Sequence, residues 1–416
     1  MTHGPVELRE DELDLGRWLR PGDGVVAGQA CAEPTVLVDA LLEQAPSIGG
    51  LRAFFGLTWR DSVAEAASGA LEVTSYGALG RLGRLSGLRV VPCHFSALPG
   101  LFAARALPGD VAFVQVAPPD AEGRCSLGVG VDYIGDALEH ARVVIAEVND
   151  HCPRTAGHWI AWDRIDAAVH TSRPLVEAPP VAPGETERRI AEHVAALVRD
   201  GDTIQLGVGA LPEAIMRALG GHRDLGVHSG MISDGVLDLI EAGVVTNARK
   251  PADRNLTVTG AALGSTRLFE ALGRREEIVF RAVSSTHAPA TLANVGRLCA
   301  INSAVEIDLS GQANAEAVGG RLLGAVGGQV DFLRAAAAGG GTPILALPAK
   351  RIVRRLSGPV STARSDVDWV VTEHGARSLR GLTDADRAAA LLELAGPESA
   401  ERLACCEPDL GVPLHA

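Results

Sequence analysis

The chain has 416 residues, more than the roughly 250 to 300 at which a single core stops growing, so length excludes one small module and sets two domains of about 200 residues as the expectation. Apolar residues make up 47% and aromatic residues only 4%, which points to cores of Leu, Val, Ile and Ala and excludes an aromatic-rich β-sandwich. A net charge of -13 argues against nucleic acid as partner, because a polyanion-binding surface needs clustered Lys and Arg.

The first stretch, MTHGPVELREDELDLGRWLR, is charged and lacks an apolar centre, so it does not read as a secretory signal. The sequence holds no apolar run of the roughly 18 residues a membrane span requires, and a cytoplasmic location is expected. Seven cysteines, at 31, 93, 125, 152, 299, 405 and 406, form no CxxC or metal spacing; all are expected to be packing thiols, with no metal site.

Along the chain, VAFVQVAP, ARVVIAEVN, DTIQLGVG and TPILALP are short apolar runs ending near Gly, Pro or Asn, as buried parallel strands do. Between them lie stretches with helical spacing. In ETERRIAEHVAALVRDG, Ile190, Val194, Leu197 and Val198 share one face, and LRAAAAGGG reads as a helix with its glycine stop. Alternation of strand and helix makes the fold class α/β, with mainly parallel sheets. Four prolines between Pro174 and Pro183 form an extended linker, which places the domains at 1–183 and 184–416. Leu19–Glu43 and Val198–Leu219 share the order Gly-Asp turn, apolar strand, glycine loop, apolar helix. This suggests two related domains facing each other across a cleft, or else the common pattern of any α/β unit.

Two glycine-rich turns carry chemistry. GVGALPEAI follows a strand and opens a helix, so its backbone N–H groups can hold an oxyanion or a phosphate; Gly207 and Gly209 allow close approach. It lacks the third glycine of a dinucleotide fingerprint and the Gly-Lys-Ser/Thr of a P-loop. GAVGGQVDF, Gly324 to Phe332, offers a second row of donors or tight backbone packing. KRIVRR, Lys350 to Arg355, reads either as a basic patch for one nucleotide or as a solvated helix end.

In this order, GVGALPEAI, HSGMISDGVLDLIEAGVVTN, INSAVEIDLSGQANAE, GAVGGQVDF and STARSDVDWVVTEHG resemble the acetyl-CoA hydrolase/transferase family of CoA-transferases, which includes 4-hydroxybutyrate and succinyl-CoA:acetate CoA-transferases. GDGVVAGQACAEP, VQVAPPDAEGRCSLGVGVDY and IAEVNDHCPRTAG extend the resemblance through the first half. The resemblance implies two CoA-transferase-type (NagB/RpiA-like) α/β domains, a cytoplasmic homodimer, no bound cofactor, and coenzyme A thioesters as substrates. It also implies a ping-pong reaction in which a glutamate attacks the thioester, becomes a glutamyl-CoA thioester, and passes CoA to a second carboxylate. The family's oxyanion donors carry over to the backbone N–H groups of Val208 and Gly328.

The chain departs from that pattern. The family glutamate falls in the segment matching VHSGM, where this chain has Gly230; glycine offers no side chain to form the covalent thioester. In SSTHAPATL, His287 stands where the family often has asparagine, and imidazole takes up a proton near neutral pH where an amide cannot. Glu373 in VVTEHG matches a second active-site glutamate, with His374 replacing a common Tyr or Gln. The Gly-Gly-Lys stretch usual after LALPAK is cut down to Lys350 and Arg351, which bears on how CoA is held.

The expected catalytic set is therefore Glu373, His287, Val208, Gly328 and Gly230, with Gly207, Gly209, Ser229, Gly327, Gln329 and Lys350 binding substrate. Ser229 reads first as a turn residue, Glu306 and Asp308 as structural, and His94 and His228 as neighbours of the site. The expected function is hydrolysis of a short-chain acyl-CoA, or transfer without a glutamyl-CoA intermediate, to water, a small carboxylate or another acceptor. The alternatives are carboxylate CoA transfer, acyl transfer to an amine or hydroxyl, and acyl-CoA binding without catalysis.

Overall fold

All four apolar runs are interior strands of parallel sheets. Val111–Val116, Val143–Asn149, Thr203–Leu206 and Thr342–Ala346 are buried at every residue, because a parallel strand in the middle of a sheet is covered on both faces. The computed structural model describes residues 4–66 and 69–404; Cys405 and Cys406 lie outside the described residues. Cys31, Cys125, Cys152 and Cys299 are buried and Cys93 is half-buried, and burial pushes the Cys31 thiol up to about 12 and Cys125 up to about 11.

The chain forms two compact units. The first takes the residues up to Pro179 together with Ser229–Asp234 and Leu256–Ala288; the second takes Pro180–His228, Gly235–Asn255 and the chain from Pro289. Residues 172–184, rich in proline, carry no helix or strand.

The first unit is built on an eight-stranded sheet, all parallel, in the order Val6–Leu8, Ala167–Thr171, Val143–Asn149, Val111–Val116, Gly24–Ala27, Leu51–Phe54, Leu71–Ser75, Arg89–Val90. The helix Thr35–Ile48 lays Val36, Leu37, Val38, Leu41 and Ala45 on one face of this sheet, where they join Val25, Phe113, Ile145 and Val169 in one core. Leu37 and Leu41 are fully buried, each worth about 1.5–3 kcal/mol of transfer from water. The start of that helix has no side-chain cap of its own; Glu147, from the strand beneath, accepts the Val36 N–H at 2.9 Å.

The second unit carries a six-stranded sheet in the order Gly226–Val227, Thr203–Leu206, Leu298–Ser303, Thr342–Ala346, Trp369–Thr372, Gly375–Ser378, parallel except for the last strand. The helix Gln329–Ala338 ends at Gly339, the stop expected from the sequence. The first helix of this unit is shorter than its periodicity suggests. Glu185–Ala195 buries Ile190 and Val194, whereas Leu197 and Val198 fall in a tighter turn of i→i+3 bonds beyond it, with Val198 still buried.

KRIVRR is not a helix end. Ala349–Arg351 make a single 3-10 turn, and Ile352–Val353 form a short strand paired with Glu306–Asp308, with Ile352 buried between basic neighbours. Among the described residues no helix is long and apolar enough to cross a membrane.

Burial raises the Glu147 carboxyl from its usual 4.5 to about 7. Folding then holds a proton that the unfolded chain releases, so the contribution of Glu147 to stability falls as pH rises from about 4.5 to about 7 and is level above that. Glu147→Gln, which keeps an oxygen for Val36, is expected to flatten this part of the curve. Thermal midpoints of both proteins across that range measure it; parallel curves would mean that Glu147 ionises as freely folded as unfolded.

Candidate functional site

Burial on both faces leaves the strand ends as the places where a parallel sheet exposes polar groups, and in an open α/β sheet it is the carboxyl ends that hold ligands. In the second unit, Thr203–Leu206 runs into Gly207, Val208 and Gly209, which turn into the helix Ala210–Ala218. Gly209 has φ +119°, a conformation in which any side chain is strained, and a Cβ on Gly207 or Gly209 would meet nothing within 4 Å. The turn is therefore open around its backbone, and Val208 is 37% exposed.

The helix Gln329–Ala338 feeds into the strand Thr342–Ala346, so Gly327, Gly328 and Gln329 at its start lie at the same carboxyl edge as Gly207–Gly209. Gly328 is the N-cap residue and Gly327 sits at φ +61° with open space on its side-chain face. Gln329 is buried and donates its amide to Thr362 Oγ1 at 2.7 Å, which ties it to the protein rather than to solvent.

Glu373 follows the strand Trp369–Thr372, again at that edge, and its carboxylate accepts the Ala349 N–H at 2.8 Å. The same contact fixes the turn that carries exposed Lys350. Sequence reasoning missed two neighbours. Gln205 and Asn302, on adjacent strands, pair their side-chain amides, with Asn302 Nδ2 donating to Gln205 Oε1 at 2.9 Å. The signal was present as one amide in each apolar run, TIQL and CAIN.

Glu306 and Asp308 hold loops: Glu306 accepts the Ser357 N–H and hydroxyl, and Asp308 accepts from Ser310 and Gln312. His228 is fully buried, its N–H donating to the Ile204 carbonyl.

In the first unit, Ser229 is buried and its N–H bonds the Val258 carbonyl, while the Gly230 carbonyl accepts the N–H groups of Gly260 and Ala261 at 3.2 and 3.1 Å. Gly230 is thus locked at the edge of the short strand pair Met231–Ile232 and Ala261–Ala262. His287 closes the one-turn helix Val283–Thr286 and is 3% exposed. A Cβ built on Gly230 would lie 2.9 Å from His287 Cε1 and 3.1 Å from Nε2. The imidazole therefore fills the volume into which any side chain at 230 would project.

Behind His287 stands a group of rings. Phe95 lies 5.1 Å from it, and Tyr76, Tyr133, Phe54 and Phe102 continue the contacts. Both tyrosines of this aromatic-poor chain are here. Tyr133 donates to the Ala27 carbonyl at 2.7 Å, Tyr76 to Gln29 Oε1 at 3.0 Å, and Gln29 Nε2 donates to Asp132 at 2.7 Å. Burial raises the Asp132 carboxyl to about 6. None of these four was singled out from sequence, although two tyrosines in 416 residues were a signal in themselves. His94 precedes the turn Phe95–Ala97 and so borders this group. Among the described residues no cluster of three or more His, Cys, Asp or Glu is placed to hold a metal ion.

Two mainly parallel α/β sheets, the second with glycine turns at its carboxyl edge, define an α/β fold of a kind that carries many enzymes, and the comparisons give the family. Residues 86–177 match the acetyl-CoA hydrolase/transferase N-terminal domain, and residues 264–405 match the C-terminal domain. The chain is 40% identical over 323 residues to a 4-hydroxybutyrate coenzyme A transferase of Clostridium kluyveri, covering 75% of each chain. Among solved structures it is similar to RipA from Yersinia pestis, with a TM-score of 0.88, 32% identity and 96% of each chain covered. A 4-hydroxybutyrate CoA-transferase from Porphyromonas gingivalis aligns with a TM-score of 0.80 and 34% identity over 96% of each chain. The chain belongs to the acetyl-CoA hydrolase/transferase family and is an enzyme of that family.

Gly230→Ala is expected to force the imidazole aside and to cost about 1–3 kcal/mol, as overpacking of a filled site does. In a His287→Ala background the same change should cost little. Urea unfolding of the two single variants and the double variant measures the coupling; equal cost in both backgrounds would show that the ring yields freely.

Proposed function

We propose that the protein acts on a short-chain acyl-CoA thioester without a glutamyl-CoA intermediate, most simply by hydrolysis. The observation that supports this is the occupancy of position 230: the residue is glycine, and a Cβ there would stand 2.9 Å from the His287 ring. A carboxylate at that position and the imidazole where it lies exclude each other.

In this reading His287 takes a proton from the attacking water, whose oxygen bonds the thioester carbonyl carbon; the C–S bond then breaks and CoA leaves as thiolate, to be protonated to the thiol. Negative charge on the carbonyl oxygen is assigned to the backbone N–H groups of Val208 and Gly328, as the family pattern implies. Gly207, Gly209, Gly327, Ser229 and Lys350 are assigned to substrate, and Glu373 to holding the Ala349–Arg351 turn through the bond it already makes. The working form is taken to be a cytoplasmic homodimer, again from the family.

A second reading, CoA transfer to a small carboxylate, is favoured by the 40% identity to a 4-hydroxybutyrate CoA-transferase. Incubation with acetyl-CoA and a few short-chain acyl-CoAs, with and without acetate, separates the two when thiol and acyl-CoA products are followed by mass spectrometry. Free CoA without acceptor, and no enzyme-CoA adduct after borohydride, is the expected result. New acyl-CoA formed only with acetate supports the second reading, an amide or ester formed with an amine or alcohol supports acyl transfer, and binding without turnover would make the protein an acyl-CoA carrier.

His287→Gln is expected to lower kcat by about 10²–10⁴-fold, the range for loss of a general base, whereas Glu373→Gln, which keeps an acceptor for Ala349, is expected to change kcat far less. The opposite ranking would move the base to Glu373.

A further inference from the structure

The sequence holds only two lysines, although Lys and Arg together number 38. Lys250 is buried, and its Nζ donates to the Val227 carbonyl at 2.9 Å. Lys350 is exposed, on the turn Ala349–Arg351 that follows the strand Thr342–Ala346, and no described residue bonds its amine. It is therefore the one exposed side-chain amine among the described residues. The turn beneath it is held firmly: Glu373 accepts the Ala349 N–H at 2.8 Å, the Arg351 N–H bonds the Pro348 carbonyl at 2.8 Å, and Ile352 is buried just beyond.

This turn belongs to the edge that carries the glycine turns. In the second sheet Leu298–Ser303 lies between Thr203–Leu206 and Thr342–Ala346, so Gly207–Gly209 leave the sheet two strand spacings, roughly 10 Å, from the strand that leads to Lys350. The helix Gln329–Ala338 packs on Leu298–Ser303 and Thr342–Ala346, and its Gly328 end opens over that interval. A lysine amine on its flexible four-carbon stem can sweep into it. Arg351 and Arg355 are exposed as well, and neither has a carboxylate partner among the described residues, whereas Arg124, Arg334 and Arg377 are each bridged to one. In a chain of net charge -13 this is a local excess of positive charge, which attracts the phosphates of coenzyme A.

We propose that Lys350 is a site of N-acylation by the acyl-CoA that the enzyme itself binds. The proposal rests on the reading of an acyl-CoA at this edge given above. The lone pair of the unprotonated amine forms a C–N bond to the thioester carbonyl carbon, the C–S electron pair leaves on sulfur, and the proton released by nitrogen passes to the thiolate. The products are an amide and free CoA, and no further reactant is needed. A thioester held beside the amine is presented at an effective concentration far above that in solution. The amide lacks the reactivity of the thioester, so the acyl group stays, one per chain, and Lys350 loses its charge. The patch then attracts the next CoA less strongly, and sustained excess of acyl-CoA lowers the affinity of the enzyme for it.

The test incubates the full chain with acetyl-, propionyl- or butyryl-CoA and, at the same concentration, with the matching N-acetylcysteamine thioester, which carries no phosphate. Intact-mass and peptide mass spectrometry follow the adduct. One acyl group per chain is expected at Lys350, ahead of the α-amino group, which is intrinsically the more reactive amine near neutral pH because more of it is unprotonated. The adduct should survive neutral hydroxylamine, which cleaves thioesters and anhydrides but not amides, and should form about tenfold faster or more from the CoA thioester. Lys350→Arg should carry none. Full acylation should raise the Kd for free CoA about two- to fivefold, the range of one exposed charge pair, and the same incubation should leave the Kd of Lys350→Arg where it started. Acylation of the α-amino group first, equal rates from the two thioesters, or no adduct at Lys350 with any of the three acyl groups overturns the proposal, and a Kd unmoved by full acylation overturns its self-limiting effect. Release of CoA beyond one per chain is read separately: its absence beside a Lys350 adduct counts against hydrolysis and leaves the modification standing.

Discussion

Burial of parallel strands on both faces is the constraint from which the rest follows. The interior strands of both sheets have no room for unpaired polar side chains, so chemistry is confined to the turns at their ends. Where a polar side chain does lie inside, it is tied into a pair. Gln205 is matched by Asn302, and Glu147 by the Val36 N–H. The glycine turns at 207–209 and 327–328 bring bare backbone to the edge of the second sheet at the point where polar groups are allowed.

The same economy of space operates around position 230. The main chain there is pinned by two hydrogen bonds to its carbonyl, so it cannot retreat from the imidazole beside it. His287 is in turn held by its own helical turn and by Phe95. Gly230 and His287, separated by 57 residues in sequence, are thus one physical arrangement: a position without a side chain and a ring seated beside it.

The architecture was largely legible, since apolar runs without alternation identify central parallel strands and all four were found where expected. The same periodicity overran the end of the helix Glu185–Ala195, because a 3-10 turn keeps Val198 facing the core with no helix under it. Of the two readings of KRIVRR, the helix end fails because Ile352 is buried and makes the segment a strand, a feature its charges obscured. At the site, residue types were legible and partners were not. No spacing rule connects Gly230 to His287 or Gln29 to Asp132, because each contact depends on how separate turns converge. The hydrogen bond from Ala349 to Glu373 was equally invisible, and it gives a residue expected to be catalytic a structural task.

The seating of the ring also bears on the routes by which such a chain can change. A single substitution at 230 places a side chain against the imidazole, and the ring must shift before a carboxylate fits. Position 287 therefore works as a latch on position 230: which side chains that position accepts is set by the packing of another residue.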